Sequence, residues 1–284
     1  MAIPKLDSYA LPTAAELPAN KVSWPFEPAR AALLIHDMQE YFLNFWGDNS
    51  PLVEQVVANI AALRQYCKAQ GIPVFYTAQP NQQSAEDRAL LNDMWGPGLN
   101  KHPDQQRVVS ALAPDEQDQV LVKWRYSAFH RSPLESILNE TGRDQLIICG
   151  VYAHIGCLTT ATDAFMRNIK PFMVADALAD FSRDEHLMAL TYTAGRSGKV
   201  VMTDELLPVP RSKEQLRAAV LPLLDDDAGD LQDDENLVDY GLDSVRIMAL
   251  AARWRQVHGD IDFVALAKDP SIDGWWQLLS REPA

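Results

Sequence analysis

The sequence predicts a three-layer αβα domain built on a six-stranded parallel sheet, followed by a smaller all-α helix bundle. Six short apolar runs alternate with stretches of helical periodicity, which is the pattern of a parallel sheet covered by helices on both faces. After residue 207 this alternation stops and only helical periodicity remains. A length of 284 residues with 47% hydrophobic residues is enough for two cores, so a single small module or a disordered chain is excluded.

The predicted strands are short, as buried strands are. They comprise residues 32–35, 74–77, 119–122, 145–149, 172–175 and 199–202. The clearest intervening helix has apolar side chains at spacings of four, three and four, namely Val56, Ile60, Leu63 and Cys67. Further helices are predicted around residues 133–140, 158–168 and 183–193. Because ligands of parallel sheets bind beyond the carboxyl ends of the strands, we expect functional residues directly after these runs.

A polar segment with prolines interrupts the pattern and predicts a linker over residues 208–213, between a first domain of residues 1–207 and a second of residues 214–284. The second domain has three apolar helical stripes, at Leu216, Val220 and Leu223, at Ile247, Leu250, Ala251, Trp254 and Val257, and at Ile272, Trp275, Trp276 and Leu279. About 70 residues with this pattern are typical of a small helix bundle.

The chain is acidic, with 25 Lys and Arg against 39 Asp and Glu and a net charge of −14. Such a charge disfavours binding to nucleic acid or to anionic membranes. Half of the excess lies in residues 211–284, and no Lys or Arg occurs between Arg217 and Arg246 while nine acids do. This asymmetry indicates that the second domain has partners of its own.

Three cysteines without a Cys-x-x-Cys pair make a disulfide scaffold improbable on sequence grounds. The first residues do not combine a basic region with an apolar stretch, and no window approaches the roughly 20 apolar residues that cross a bilayer. We therefore expect a cytoplasmic protein that does not insert into membranes.

Two charged side chains follow predicted strands. Asp37 comes directly after the first strand and Lys123 directly after the third. If these strands are central neighbours, the two side chains meet at one edge of the sheet and form an ion pair that can hold or tune a proton donor. Position alone leaves two simpler interpretations open: Asp37 caps a following helix, and Lys123 is an ordinary strand-end charge.

A third element, Gly-Val-Tyr-Ala-His-Ile-Gly-Cys at residues 150–157, follows the fourth strand. Together the three elements resemble the isochorismatase-like hydrolases, in which an Asp, a Lys and a Cys follow successive strands. The resemblance implies the three-layer fold and a cis peptide between Val151 and Tyr152. It also places Gly156 where the amidases of the family have their nucleophilic cysteine, with Cys157 one residue beyond and expected to face the core.

A glycine at that position resembles the isochorismatases themselves, which cleave a vinyl ether without a covalent acyl intermediate. The resemblance implies isochorismate as substrate and three catalytic positions. Asp37 would protonate the terminal methylene carbon, Lys123 would orient Asp37 and bind a substrate carboxylate, and Gly156 would leave room for the substrate. The alternative enzyme is a cysteine amidase of the nicotinamidase type that uses Cys157.

The same resemblance implies substrate contacts at Gln79, Arg88, Trp95 and Tyr152, with Phe42 packed nearby. The residues alone also allow structural roles, because Arg88 can be a surface charge, Trp95 a core aromatic and Gln79 a strand-end amide. A dianionic substrate requires local cations in a chain of negative total charge, which favours the contact roles for the basic residues.

The second domain contains Gly-Leu-Asp-Ser at residues 241–244, at the end of its acidic segment. This tetrapeptide, the acidic flank and the size of the helical module resemble acyl and peptidyl carrier proteins. The resemblance implies that Ser244 receives 4'-phosphopantetheine and that Asp243 can help to hold Mg²⁺ during the transfer. The simpler interpretation is that Asp243 or Ser244 is only a helix N-cap.

The order of the two domains resembles the bifunctional isochorismatase and aryl carrier proteins of enterobactin-type catechol siderophore synthesis. The resemblance implies release of 2,3-dihydro-2,3-dihydroxybenzoate and pyruvate, and carriage of 2,3-dihydroxybenzoate as a thioester. The implied partners are a phosphopantetheinyl transferase, a 2,3-dihydroxybenzoate-AMP ligase and the condensation domain of a nonribosomal peptide synthetase.

Three apolar residues, Met248, Phe263 and Ala267, are predicted to form a docking patch beside Ser244, although core packing would also explain them. We expect a homo-oligomer. The alternative from another class is a carrier or scaffold protein whose hydrolase domain is inactive.

Overall fold

The computed structural model describes residues 3–207, 210, 212–225, 230–255 and 261–280. The chain divides into two compact units, Met1–Leu206 and Leu207–Ala284. The predicted linker at residues 208–213 lies partly outside the described residues, and its bounds stay a prediction. Among the described residues, no helix has the length and apolar character needed to cross a bilayer.

The first unit is built on one six-stranded sheet whose strands are all parallel. Its strands are β1 Ala31–His36, β2 Val74–Ala78, β3 Gln119–Val122, β4 Gln145–Val151, β5 Lys170–Ala179 and β6 Lys199–Val201. They pair in the order β3-β2-β1-β4-β5-β6. The predicted fold class is confirmed, and the six predicted strands are present with end shifts of a few residues.

The strand order reverses its direction between β1 and β4, the two strands that are buried at every residue. In doubly wound sheets the crevice for a ligand opens at this reversal, outside the carboxyl ends of the strands. The end of β1, at His36, is level with Thr77 of β2 and Gly150 of β4. The side chains that follow these three strands are therefore brought together.

Helices cover both faces of the sheet. In chain order they are α1 Glu40–Leu43, α2 Pro51–Ala69, α3 Ala85–Arg88, α4 Leu91–Trp95, α5 Leu134–Glu140, α6 Leu158–Met166, α7 Arg183–Tyr192 and α8 Thr203–Leu206. The long helix α2 begins where the Ser50 hydroxyl accepts a hydrogen bond from the Val53 amide, and the predicted apolar stripe is its buried face. The sequence did not predict α1, α3, α4 and α8, because four or five residues are too few to establish a helical period.

The second unit consists of α9 Lys213–Val220, α10 Ser244–Arg255, α11 Phe263–Lys268 and α12 Ile272–Leu279. The Trp254 and Trp275 rings meet edge to face at its centre, with centroids 5.6 Å apart. The three predicted stripes lie on α9, α10 and α12, except that Leu223 belongs to a short 3-10 turn after α9 and Val257 lies outside the described residues.

Candidate active site

Asp37 and Lys123 form a buried ion pair at the carboxyl edge of the sheet. Lys123 Nζ donates to Asp37 Oδ2 at 2.9 Å, and the Thr77 hydroxyl donates to Asp37 Oδ1 at 2.6 Å. Only 6% of Asp37 and 3% of Lys123 is exposed. Asp37 does not cap the next helix, because α1 begins at Glu40 and its N-cap is Gln39. The predicted pair is therefore present, but the premise that the two strands are central neighbours is wrong, because β2 lies between β1 and β3 and β3 is an edge strand.

The electrostatics of this pair keep Asp37 ionised in the free protein. Burial alone would raise its pKa, but the positive charge of Lys123, together with His36 and the hydrogen bonds from Thr77 and Lys123, outweighs burial and lowers the pKa. The neighbouring His36 is fully buried, and burial together with the charge of Lys123 lowers its pKa to about 4. At neutral pH the site thus holds a carboxylate and a neutral imidazole.

One cavity opens beside the pair, and all eight residues predicted for the hydrolase site line it. These are Asp37, Phe42, Gln79, Arg88, Trp95, Lys123, Tyr152 and Gly156. No serine, threonine or cysteine lines this cavity among the described residues. Residues that are about 120 positions apart in the chain therefore share one chamber, although their individual roles stay predictions.

Arg88 is a buried cation without an acidic partner among the described residues. It is 3% exposed, its Nε donates to the Gly96 carbonyl at 2.6 Å, and its Nη1 has no hydrogen-bond partner. Gly98 permits this burial, because a Cβ there would lie 2.4 Å from Arg88 Nη2 and its φ is +54°. An unpaired guanidinium in a cavity is suited to bind an anion, so Arg88 is not the surface charge that the residue alone allowed.

Aromatic side chains form part of the cavity wall. The Tyr152 hydroxyl donates to the Phe42 carbonyl at 2.7 Å, and the Tyr152 ring meets Phe181 edge to face with centroids 4.7 Å apart. The Trp95 indole donates to the Tyr126 hydroxyl at 2.9 Å and is only partly buried, so it is not a core aromatic. This wall can stack against a six-membered carbon ring.

Sequence reasoning missed several residues of this chamber, including Tyr41, Arg125, Tyr126 and Phe181 among the lining residues and Thr77 beside Asp37. A signal existed for four of them. Thr77 is near the end of β2, Arg125 and Tyr126 closely follow β3, and Phe181 closely follows β5. The rule that ligands bind beyond strand ends pointed to these positions as well.

Gly156 and Cys157 lie in one turn of π-helix, Ala153–Cys157, between β4 and α6. The peptide between Val151 and Tyr152 is cis, as the resemblance implied. Gly156 lines the cavity, whereas Cys157 is fully buried in the apolar core and burial raises the pKa of its thiol well above the usual value. A protonated thiol that faces the core is a poor nucleophile, as predicted for Cys157.

In the second unit, Ser244 is the exposed first residue of α10. Asp243 Oδ1 accepts a hydrogen bond from the Arg246 amide at 2.8 Å, so Asp243 caps the helix and Ser244 does not. No described residue hydrogen-bonds the Ser244 hydroxyl, which leaves it accessible for covalent attachment. Met248 and Phe263 are 49% and 36% exposed, and Ala267 is exposed too, so core packing does not explain the predicted docking residues.

A buried acid held by a lysine, in a chamber at the reversal point of a parallel sheet, is consistent with a hydrolase of the three-layer αβα class. The comparisons with known proteins make this class specific. Residues 31–205 match the Isochorismatase domain family, and residues 214–279 match the Phosphopantetheine attachment site family. The chain therefore belongs to the isochorismatase family, and its second unit is a carrier domain that takes a covalent phosphopantetheine.

The similarity extends over both domains. The chain is 73% identical to Enterobactin synthase component B of Escherichia coli (strain K12) over 99% of both chains. It is 48% identical to Isochorismatase of Bacillus subtilis (strain 168), over 99% of this chain and 96% of that one. A crystal structure of a cysteine hydrolase from Pseudomonas syringae pv. phaseolicola 1448A has a TM-score of 0.60 at 25% identity, over 71% of this chain and 98% of that one.

Proposed function

We propose that the first domain hydrolyses the vinyl ether of isochorismate to 2,3-dihydro-2,3-dihydroxybenzoate and pyruvate, and that the second carries 2,3-dihydroxybenzoate as a phosphopantetheine thioester. The observation that supports the hydrolysis best is the buried pair of Asp37 and Lys123 in a chamber that no serine, threonine or cysteine lines among the described residues. Such a chamber suits proton transfer and water attack better than acyl transfer.

The reaction begins when Asp37 gives its proton to the terminal methylene carbon of the enol ether. The electron pair of the carbon-carbon double bond forms the new C–H bond, and the ether carbon becomes an oxocarbenium ion. Water adds to that carbon and returns a proton to the Asp37 carboxylate. The hemiketal then collapses: the bond between its central carbon and the ring oxygen breaks, and the hemiketal hydroxyl loses its proton and becomes the ketone carbonyl of pyruvate. The ring oxygen takes up that proton and leaves as a hydroxyl. Atoms balance with one water consumed and Asp37 unchanged.

This scheme requires a proton on Asp37, which is ionised in the free protein. The substrate supplies the change, because its carboxylates bring negative charge next to Asp37 and share the positive charge of Lys123. Burial then dominates and raises the pKa of Asp37, so the carboxyl takes up a proton as the dianion binds. The ion pair of the free protein thus becomes a general acid only in the loaded site.

The remaining chamber residues hold the dianion in place. Arg88 has an unpaired guanidinium for one carboxylate, and Lys123 is the cation beside Asp37 for the other. Gln79 contributes an amide, and Trp95 and Tyr152 contact the ring of the substrate. Gly156 contributes only backbone to the chamber wall.

Pyruvate release from purified isochorismate tests the hydrolase. The wild-type chain should release pyruvate, Asp37→Asn should reduce the rate at least about 100-fold, since one general acid contributes about that factor or more, and Ser244→Ala should leave it unchanged. Absence of pyruvate release from the folded wild type would favour the alternative in which the hydrolase domain is inactive. Full activity of Asp37→Asn would contradict the assigned proton donor.

For the carrier domain, the accessible Ser244 is the supporting observation. We propose that a phosphopantetheinyl transferase loads it from coenzyme A, with Asp243 helping to hold Mg²⁺, and that this takes place in the cytoplasm. A 2,3-dihydroxybenzoate-AMP ligase then acylates the thiol, and a condensation domain of a peptide synthetase receives the acyl group. The acidic surface around Ser244 would steer such enzymes if their docking faces are basic.

Intact mass after incubation with coenzyme A and a phosphopantetheinyl transferase tests this assignment. The wild type should gain one phosphopantetheine, and Ser244→Ala should gain nothing. Asp243→Asn should slow the transfer more at limiting Mg²⁺ than at saturating Mg²⁺, and an equal slowing at both would contradict a metal role of Asp243. A mass gain that persists in Ser244→Ala would contradict the attachment site.

A further inference from the structure

His36, the residue before Asp37, is buried completely beneath the chamber but does not line it. Its Nδ1 donates to the Val151 carbonyl at 2.8 Å, so the neutral ring carries its proton there. Nε2 makes no hydrogen bond of acceptable geometry, although the Tyr126 backbone lies close enough to influence the ring. A hydrogen bond thus holds the Nδ1 side of the imidazole, whereas the Nε2 side packs against its neighbours without one.

Gly156 packs directly against this ring. A Cβ built on Gly156 would lie 2.1 Å from His36 Cε1 and 2.8 Å from Nε2, distances that no real side chain tolerates. Gly150, on β4, packs against the backbone of the same histidine, where a Cβ would lie 2.2 Å from the His36 carbonyl oxygen. Two glycines therefore enclose one histidine, and the side chain of His36 occupies the space that a side chain at position 156 would enter.

The ring cannot easily move aside. It has no solvent-exposed surface, and rotation would break its buried hydrogen bond to the Val151 carbonyl. Its backbone is also fixed, because His36 is the last residue of the central strand β1 and pairs with both neighbouring strands. A substitution at position 156 therefore meets a rigid obstacle.

We propose that His36 is a specificity-determining residue that fixes the reaction class of this site by filling the volume of a nucleophile at position 156. Any side chain there, including a cysteine thiol, is excluded for steric reasons while His36 is present. Chemistry at the Asp37 and Lys123 pair is thereby restricted to proton transfer and water addition. This inference rests on the proposed ether hydrolysis and adds the reason why a nucleophilic side chain is absent from the site. Its test requires no substrate.

A double-mutant cycle of Tm values measures the steric conflict between His36 and a side chain at position 156. Gly156→Ala alone should lower Tm by about 5–10 °C, as overpacking in a rigid core does. His36→Ala alone should also lower Tm, because it leaves a void and removes the hydrogen bond to the Val151 carbonyl. Adding Gly156→Ala to His36→Ala should cost no further Tm or recover part of it. Gly195→Ala is the matched control, because a Cβ at Gly195 meets nothing within 4 Å, and it should leave Tm unchanged or slightly higher.

A cysteine version tests the chemical side. Iodoacetamide should add one carbamidomethyl group to native His36→Ala/Gly156→Cys, by attack of the thiolate with loss of iodide. It should add none to His36→Ala, because Cys67, Cys149 and Cys157 are buried. Additive Tm losses in the cycle, or a double variant whose new thiol does not react, would overturn the proposal. Wild-type pyruvate release is measured separately, so failure of the proposed function would be recognised by itself.

Discussion

Lys123 Nζ lies 2.9 Å from Asp37 Oδ2, inside a chamber where neither residue is more than 6% exposed. The two residues are 86 positions apart and follow strands that lie on either side of β2. The pair sets the resting charge of the site, because the lysine outweighs the burial that would otherwise protonate the acid. The chemistry of the domain depends on how substrate changes that balance.

The pH profile of kcat/KM reports this balance directly. Since the pKa of Asp37 in the free protein lies below its usual value, kcat/KM should fall by up to about tenfold per pH unit as pH rises through neutrality. Lys123→Met removes the charge that lowers the pKa of Asp37, so burial should raise that pKa and the fall should begin at higher pH. A kcat/KM that is independent of pH from 5 to 9 in the wild type would show that the proton comes from another group.

Arg88 allows substrate binding to be separated from stability. Replacing it with Met should raise KM roughly 10-fold to 100-fold, the loss expected for one charge-assisted hydrogen bond. Thermal stability should not fall, because removing an unpaired buried charge offsets the lost contacts. Arg88→Lys, which keeps the charge but loses the planar fork, should be intermediate. A variant with unchanged KM would contradict the assigned contact.

The sequence allowed the fold and the Asp37–Lys123 pair to be predicted, because apolar runs define strands and parallel strands bring their carboxyl ends to one edge. It did not show that Arg88 is buried, since the segment between β2 and β3 has no sustained period. The guanidinium is buried only because the backbone at Gly96 and Gly98 approaches it, and that approach is a tertiary contact. The same reason applies to His36 and Gly156, which meet through the register of β1 and β4.

Cys157 separates ether hydrolysis from the amidase alternative. Cys157→Ala should keep pyruvate release within about twofold, because the thiol is buried in the core and does not line the chamber. Its cost should appear as a loss of about 1 kcal/mol in the free energy of unfolding, from the small cavity left behind. Loss of all activity in a variant with nearly native stability would instead support a nucleophilic cysteine.

Two buried histidines predict how stability depends on pH. Burial lowers the pKa of both His36 and His186 from 6.5 to about 4, so the unfolded chain binds protons that the folded chain does not. Their contribution is present above pH 6.5 and is lost as pH falls toward 4. Between pH 7 and pH 5, protonation linked to each histidine should lower the free energy of unfolding by about 2 kcal/mol.

His154 opposes this trend. Burial would lower its pKa, but the hydrogen bond and charge of Asp180 outweigh burial and raise it, so its contribution grows as pH falls. Urea unfolding at pH 7 and pH 5 measures the net effect. His186→Gln should reduce the loss by about the contribution of one histidine, and an unchanged pH dependence in that variant would contradict its assignment.

The exposed apolar residues of the carrier domain predict a defect that leaves hydrolysis intact. Met248 is four residues after Ser244 on α10, so both lie on the same face of the helix, and α11 with Phe263 and Ala267 packs against α10. Met248→Glu should reduce acyl transfer to the condensation domain about tenfold or more, because a charge would be buried at the contact. Loading of Ser244 and pyruvate release, measured on the same preparation, should change less than twofold. Gln277→Glu, an added charge at an exposed position of α12, is the matched control. A parallel loss of hydrolysis and transfer would indicate unfolding and contradict a docking role of Met248.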